Sequence, residues 1–352
     1  MNSPDPPRPL QCLITGGAGF IGAALARELA GRGGRIVCLD DLSTGDPERL
    51  AGVERVRLVV GDAARADEIA RALAEDGPFD ILFHLAARVG VRAVLRDPQA
   101  CRRENLAGVR TLAGALADLP PAARPRVLAA SSSEVYAESR EPLGEQAPLR
   151  PAGGRGRFAY AASKRRGEQL LDEAAAPWPG ESGPVHLRLF NVVGPGQSSA
   201  GGMVLPTFVE AARAGLPLGV HGDGRQVRTF AHVDEVARVL ADLASLPVLP
   251  AGPLNVGGRA RTSVAHLART VVEACGGGGT VARVDPRASL GAGFEEVAHR
   301  VPDLSRLAAL GIALPGMSLE EIVADTLARH RSRAGGGAAA GVGRRACASP
   351  AS

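Results

Sequence analysis

Lysine occurs once in the 352 residues, at Lys164, and tyrosine twice, at Tyr136 and Tyr160, although the chain carries 41 basic side chains. Residue types so nearly absent persist where their chemistry is needed, and the surviving lysine follows Tyr160 by four positions. On a helix that spacing places both side chains on one face. A free phenol titrates at about 10, too high for a base at neutral pH, but an adjacent ammonium stabilises the phenolate and lowers that value. Such a pair can take a proton from an alcohol while the alcohol's carbon gives hydride to a nicotinamide, and the Ser132 hydroxyl can complete the relay.

The hydride acceptor has its own signature. Gly17-x-Gly19-x-x-Gly22 follows a short apolar run at Gln11–Thr15 and precedes helical apolar spacing over residues 23–30. Glycines there permit a tight turn, so the backbone of Gly16, Gly19, Phe20, Ile21 and Gly22 can approach a pyrophosphate at the helix N-terminus. Asp40 ends the next apolar run, 18 residues after Gly22, where its carboxylate would accept hydrogen bonds from an adenosine ribose diol. A carboxylate in that place repels a 2'-phosphate, which favours NAD over NADP. Asp62, after the third apolar run, is the candidate to meet the adenine amino group.

These residues need elements to hold them. Apolar runs at Arg35–Asp40, Val56–Val60, 80–86, 127–131 and 185–190 alternate with helix-like stretches at 66–75, 104–119 and 161–176. The alternation predicts an α/β protein with a Rossmann-type, doubly wound parallel sheet covered on both faces. After about residue 192 the pattern turns irregular, with loops such as Gly194-Pro195-Gly196 and His221-Gly222-Asp223-Gly224, and a smaller C-terminal lobe is expected. The expected organisation is a disordered leader over 1–9, an NAD-binding domain with the catalytic residues over 10–191, a mainly substrate-binding lobe over 192–331, and a disordered tail over 332–352. Ser318-x-x-Glu321 before Ile322, Val323 and Leu327 reads as a capping box opening a last helix that ends near His330.

Composition narrows the function classes. Apolar residues at 45% and charged residues at 22% exclude wholesale disorder and coiled-coil architecture. No apolar run approaches the roughly 18 residues of a membrane span, and the Pro-rich start lacks the apolar core of a signal peptide. A cytoplasmic protein with no membrane partner is therefore expected. The net charge is +4, but five arginines fall in the last 24 residues, where no acid occurs, so the rest of the chain carries −1. With Phe 8, Tyr 2 and Trp 1 the chain also lacks stacking platforms, and no nucleic-acid partner is expected. Cys12, Cys38, Cys101, Cys275 and Cys347 are odd in number and scattered, which points to reduced thiols and no metal site.

The ordered motifs resemble a family: the extended short-chain dehydrogenases/reductases that act on nucleotide sugars, the NAD-dependent epimerase/dehydratase group. The resemblance runs from about residue 10 to about residue 330. It is carried by Thr15-Gly16-Gly17-Ala18-Gly19-Phe20-Ile21-Gly22, Asp40-Asp41-Leu42-Ser43-Thr44-Gly45, His84-Leu85-Ala86-Ala87, Ser131-Ser132-Ser133-Glu134-Val135-Tyr136, Tyr160-x-x-x-Lys164, Arg188-Leu189-Phe190-Asn191 and Gly222-Asp223-Gly224-x-x-x-Arg228-x-Phe230. It implies removal of hydride from a sugar C4 onto tightly held NAD, giving a transient 4-ketone that enables epimerisation, dehydration or decarboxylation. It also implies Ala86 beside the cofactor, Asn191 and Arg228 at the substrate's phosphates or sugar, and Ser133 and Val204 in the substrate pocket. A homodimer through the 104–119 and 161–176 helices is implied as well.

Two features resemble one branch of that family. Glu134 stands where simple 4-epimerases commonly have a non-acidic residue, and a carboxylate beside the sugar can act on the C5 proton or stabilise an intermediate. The segment Gly291-x-Gly293-Phe294-Glu295-Glu296-x-x-x-Arg300-x-Pro302-Asp303 is similar to one by which UDP-glucuronate decarboxylases present a substrate arginine. Arg300 takes that place and would hold a C6 carboxylate or the diphosphate. Departures are Ala137, where the family usually has glycine, and Gly196, where decarboxylase relatives often have arginine. The resemblance thus favours a UDP-glucuronate decarboxylase-like enzyme. The alternatives are a UDP-hexose or UDP-uronate 4-epimerase, an NDP-sugar dehydratase and, from another class, a non-catalytic NAD-binding sensor.

Overall fold

A computed structural model of the protein describes residues 8–335 apart from 152, 155, 179–182, 287 and 289–295. Strands β1 (Gln11–Thr15), β2 (Arg35–Asp40), β3 (Val56–Val60), β4 (Ile81–His84), β5 (Arg126–Ser132) and β6 (Val185–Leu189) join the strand Gly252–Val256 in one parallel sheet. Across the sheet the order is Gly252–Val256, β6, β5, β4, β1, β2, β3, which is a Rossmann-type arrangement.

Alternation along β1 shows why the strands are almost wholly apolar. Cys12 and Ile14 enter the core on one face with Ala23 and Leu25, while Leu13 enters the opposite core with Leu112, Leu116 and Leu171. Helices cover both faces: α1 (Phe20–Gly31), α2 (Ala66–Asp76), α3 (Val91–Arg96), α4 (Pro98–Ala117) and α5 (Ala159–Ala175). Helix α4 starts six residues before the apolar spacing indicates, because Asp97 accepts a hydrogen bond from the Ala100 N–H at 2.8 Å and Pro98 fits the first turn.

The seventh strand, Gly252–Val256, lies beyond residue 191 in the chain and pairs in parallel with β6, Leu254 opposite Leu187. Glycine and proline obscure this strand in the sequence, and both are tolerated because it stands at the sheet's edge. Its preceding helix packs on α1, so the chain leaves the sheet after β6 and then returns to it. After α6 (Val204–Arg213), α7 (Val233–Ser245) is that covering helix, and α8 (Val264–Ala274) follows.

Around α6, α8 and the last helix, Leu319–Gly335, a second core forms from Leu205, Phe208, Leu267, Val271, Ile322 and Val323. The capping box forms as expected: the Ser318 N–H donates to Glu321 at 2.7 Å and the Glu321 N–H to the Ser318 hydroxyl at 3.2 Å. Residues 1–7 and 336–352, most of the expected leader and tail, lie outside the described residues.

A small three-stranded sheet brings two arginines together. Val227–Arg228 pairs with Thr262–Ser263 on one side and with His299–Arg300 on the other, Arg300 in register with Arg228. Leu143 fastens the next residues by hydrogen bonds to Val301 at 2.8 Å and from Asp303 at 3.0 Å. Arg300 is thereby presented from a braced segment.

Candidate active site

The strand order reverses between β1 and β4, and ligands of doubly wound sheets bind at the carboxyl ends of the strands at such a point. There Gly16 adopts φ +73°, and a Cβ on it would lie 2.8 Å from the Ala86 nitrogen. A Cβ on Gly22 would lie 2.1 Å from the Gly16 carbonyl oxygen, so only glycine lets the turn and α1 close together. Neither a capping side chain nor an acidic residue occupies the start of α1 at Gly19, Phe20 and Ile21, so no side chain of its first turn caps its N–H donors.

Asp40 is buried, one carboxylate oxygen accepting from the Ala18 N–H and the other from the Leu42 N–H, both at 2.9 Å. Each oxygen keeps a further lone pair, so the residue both shapes the turn and remains able to receive a ribose diol. Asp62 accepts from the Ala64 N–H at 2.8 Å, which fixes the turn into α2. The glycine cradle, the uncapped helix and the buried carboxylate fit a dinucleotide. Gly22→Ala is expected to weaken NAD binding at least tenfold and to cost about 2 kcal/mol of stability through overpacking, read by NAD titration and thermal melting.

Serine, tyrosine and lysine converge at the ends of β5 and α5. The Lys164 ammonium donates to the Ala130 carbonyl at 2.7 Å and lies 5.9 Å from the centre of the Tyr160 ring. Burial pulls Lys164 down to about 8, while burial and the nearby Glu134 charge push Tyr160 above its ordinary value, opposed by a hydrogen bond with Ser132. The lowered phenol expected from the sequence is therefore not a property of the chain alone, because burial and the Glu134 charge outweigh the Ser132 hydrogen bond and the ammonium is turned to a carbonyl. His84 bonds Thr15 at 2.8 Å and is drawn down to about 3 by burial and Lys164, so it stays neutral beneath the site.

A second cluster adjoins the tyrosine. Glu134 lies in a 3-10 turn, Ser133–Val135, that leaves β5, and its N–H donates to the Ser132 hydroxyl at 3.1 Å. One oxygen of its carboxylate accepts both from Arg300 and, at 3.4 Å, from Arg157. Burial would raise its pKa, but Arg300 and Arg157 hold it down at about 2. Arg228 stands beside Arg300 and donates to the carbonyls of Val227 at 2.9 Å and Val297 at 2.7 Å.

Among the residues expected to meet substrate, Ser133 is buried in that turn and Val204 opens α6, while the Asn191 amide is committed to the Thr229 carbonyl at 2.9 Å. Residues 291–295 of the Arg300 segment lie outside the described residues. Two groups escaped the sequence reading. Arg157 precedes Tyr160 by three residues, about one helical turn, and that spacing was its available signal. Glu168 follows Lys164 by four and pairs with Arg188 through bonds of 2.9 and 2.7 Å, locking α5 to β6.

Comparison with known proteins identifies the family and the fold. A family model described as the NAD dependent epimerase/dehydratase family matches residues 12–257. The chain is similar to a UDP-N-acetyl-alpha-D-glucosaminuronate decarboxylase of Bacillus cytotoxicus, 30% identical over 325 residues, 90% of this chain and 96% of that protein. It is similar to a UDP-glucose 4-epimerase of Mycolicibacterium smegmatis, 34% identical over 277 residues, 76% of this chain and 83% of that protein. Among solved structures, MoeE5 in complex with UDP-glucuronic acid and NAD superposes with a TM-score of 0.78 at 28% identity, covering 92% of this chain and 99% of that one.

Proposed function

The chain belongs to the NAD dependent epimerase/dehydratase family, and from that premise we propose that it is a UDP-uronate decarboxylase working through C4 oxidation. The observation that carries this reading is the Glu134–Arg300 pair beside Tyr160: a half-buried acid and a buried guanidinium adjoin the proton-transfer set, and inversion at C4 alone requires neither. Decarboxylases and 4-epimerases both occur among the relatives, and a uronate carboxylate gives Arg300 a partner that a neutral hexose does not.

NAD, which the glycine turn and Asp40 would hold, would supply a reversible hydride acceptor for the sugar C4. Tyr160 takes the O4 proton, with Ser132 hydrogen-bonded to the phenol and Lys164 supplying positive charge behind it. At the 4-ketone the C5 carboxylate is β to a carbonyl. Breaking the C5–C6 bond sends its electron pair into the C4 enolate and releases CO2, and C5 then gains one proton from solvent by way of the site. Arg300 orients the carboxylate, and Glu134 holds Arg300 and stands ready near C5. Asp40 with the glycine turn holds the cofactor, while Asp62, Ala86, Asn191, Ser133, Val204 and Arg228 line the cofactor and nucleotide-sugar sites.

Rapid mixing of the NAD-loaded protein with UDP-glucuronate tests the oxidation step. A transient rise in reduced-nicotinamide absorbance is expected in the wild type and none in Tyr160→Phe. A non-catalytic NAD sensor would give no rise with any nucleotide sugar. Among the described residues no helix is long and apolar enough to cross a membrane. We place the enzyme in the cytoplasm, as a homodimer through α4 and α5. Light scattering at micromolar concentration checks the assembly, and a monomer there would contradict it.

A further inference from the structure

Glu134 and Arg300 lie 166 residues apart, and the two segments that carry them are joined a second time, deeper in the protein. Two residues beyond Glu134 the Tyr136 side chain is buried, 2% exposed, and its hydroxyl donates to the Asn255 side-chain oxygen at 2.7 Å. Three residues beyond Arg300 the Asp303 carbonyl accepts from the Asn255 side-chain nitrogen at 3.1 Å. The same nitrogen donates to the Leu143 carbonyl at 2.7 Å, and Leu143 is the residue that brackets the chain after Arg300.

The Asn255 amide has one orientation open to it. Its nitrogen faces two carbonyls, which only accept, and its oxygen faces a hydroxyl, which can donate. Asn255 is fully buried on the edge strand Gly252–Val256, in register with Arg188 of β6, and its backbone N–H donates to Glu145 at 2.9 Å. It thus gives both segments a common anchor in the main sheet. Another tie between them, from the Ala298 N–H to Glu138 at 2.6 Å, is exposed to solvent. Ser132 and Lys164 are held by other means: Ser132 pairs with Leu189 in the sheet, and Lys164 donates to the Ala130 carbonyl.

We infer that Tyr136 and Asn255 are positioning residues for the loss of CO2: they set the spacing of Glu134 and Arg300, while the transfers at C4 depend on the residues of β5 and α5. The inference rests on the uronate reading above and goes further by giving the second step of the reaction a support of its own. Removing the Tyr136 hydroxyl strands a buried acceptor on Asn255 and frees the segment of Glu134 from that of Arg300. Arg188, 4.8 Å from the centre of the Tyr136 ring, stays in place through its two bonds to Glu168.

Rapid mixing of the NAD-loaded wild type, Tyr136→Phe and Asn255→Asp with UDP-glucuronate separates the steps, with CO2 release followed in parallel. Oxidation raises the reduced-nicotinamide absorbance, and completion of the reaction removes it. Tyr136→Phe is expected to leave the rate of the rise unchanged and to slow both its decay and CO2 release about tenfold, the effect of an unpaired buried acceptor. Asn255→Asp keeps the shape and the acceptor but loses the donor to two carbonyls, so its decay should be slower still. An unchanged rise also reports that a variant is folded, and if Asn255→Asp does not fold, Tyr136→Phe decides alone. Rise and decay slowed alike would make the pair a general support of the fold and overturn the inference. If the wild type releases CO2 and Tyr136→Phe matches its decay, only this inference fails. If the wild type shows no rise, or a rise without CO2, the uronate reading fails and takes the inference with it.

Discussion

Tyr160→Phe is expected to lower kcat by about a thousandfold, the middle of the range that a positioned proton-transfer group contributes, while NAD binding stays intact. The phenol's ring is packed at the start of α5, whose first turn is fixed by the Ser163 hydroxyl donating to the Tyr160 carbonyl at 2.7 Å and by Asn105 donating to Ser163 at 3.1 Å. Removing only the hydroxyl leaves that packing and those bonds in place. Because burial holds the phenol above its ordinary value in the chain alone, its activation depends on positive charge brought close to it. Lys164, itself pulled down to about 8, is poised to gain or shed its proton near the working pH. Steady-state rates with a fixed excess of NAD, set beside NAD titrations of both proteins, check this. Equal loss of cofactor binding and rate would instead show that Tyr160 acts through the fold.

Glu134→Gln is expected to lower turnover of UDP-glucuronate about a hundredfold and to destabilise the protein by about 3 kcal/mol at neutral pH, as expected for breaking a buried ion pair. The variant leaves Arg300, 6% exposed, without its anionic partner. Against an ordinary value of 4.5, Glu134 titrates at about 2 when folded, so the stability it contributes is full above the ordinary value and is lost as pH falls through about 2. The difference in Tm between wild type and variant should accordingly be widest at neutral pH and close toward pH 2. Melting curves across that range measure it. Unchanged turnover and unchanged product in Glu134→Gln, with Tyr160→Phe inactive, would remove the main support for decarboxylation.

What the sequence made legible follows from how local each signal is. The glycine turn, Asp40 and the Tyr160–Lys164 pair are defined within one strand–turn–helix unit or one helical turn, so spacing alone places them. The strand Gly252–Val256 was hidden because its first two residues are a glycine and a proline, which disfavour strands in general and are admitted here only at the edge. The bond joining Glu134 to Arg300 spans 166 residues and depends on a two-residue strand registering against Arg228, which no periodicity announces. Electrostatics was the least legible. Adjacency of Tyr160 and Lys164 suggests a lowered phenol, whereas burial, visible only in three dimensions, moves it the other way.

The most direct test of the account is proton NMR of the purified protein with NAD and UDP-glucuronate in deuterated water, following the sugar signals with time. The account predicts a UDP-pentose that carries one solvent-derived deuterium at C5, since the carboxylate leaves as CO2 and C5 is protonated in its place. A hexuronate inverted at C4, with its carboxylate retained and no deuterium at C5, would contradict it and make the chain a 4-epimerase.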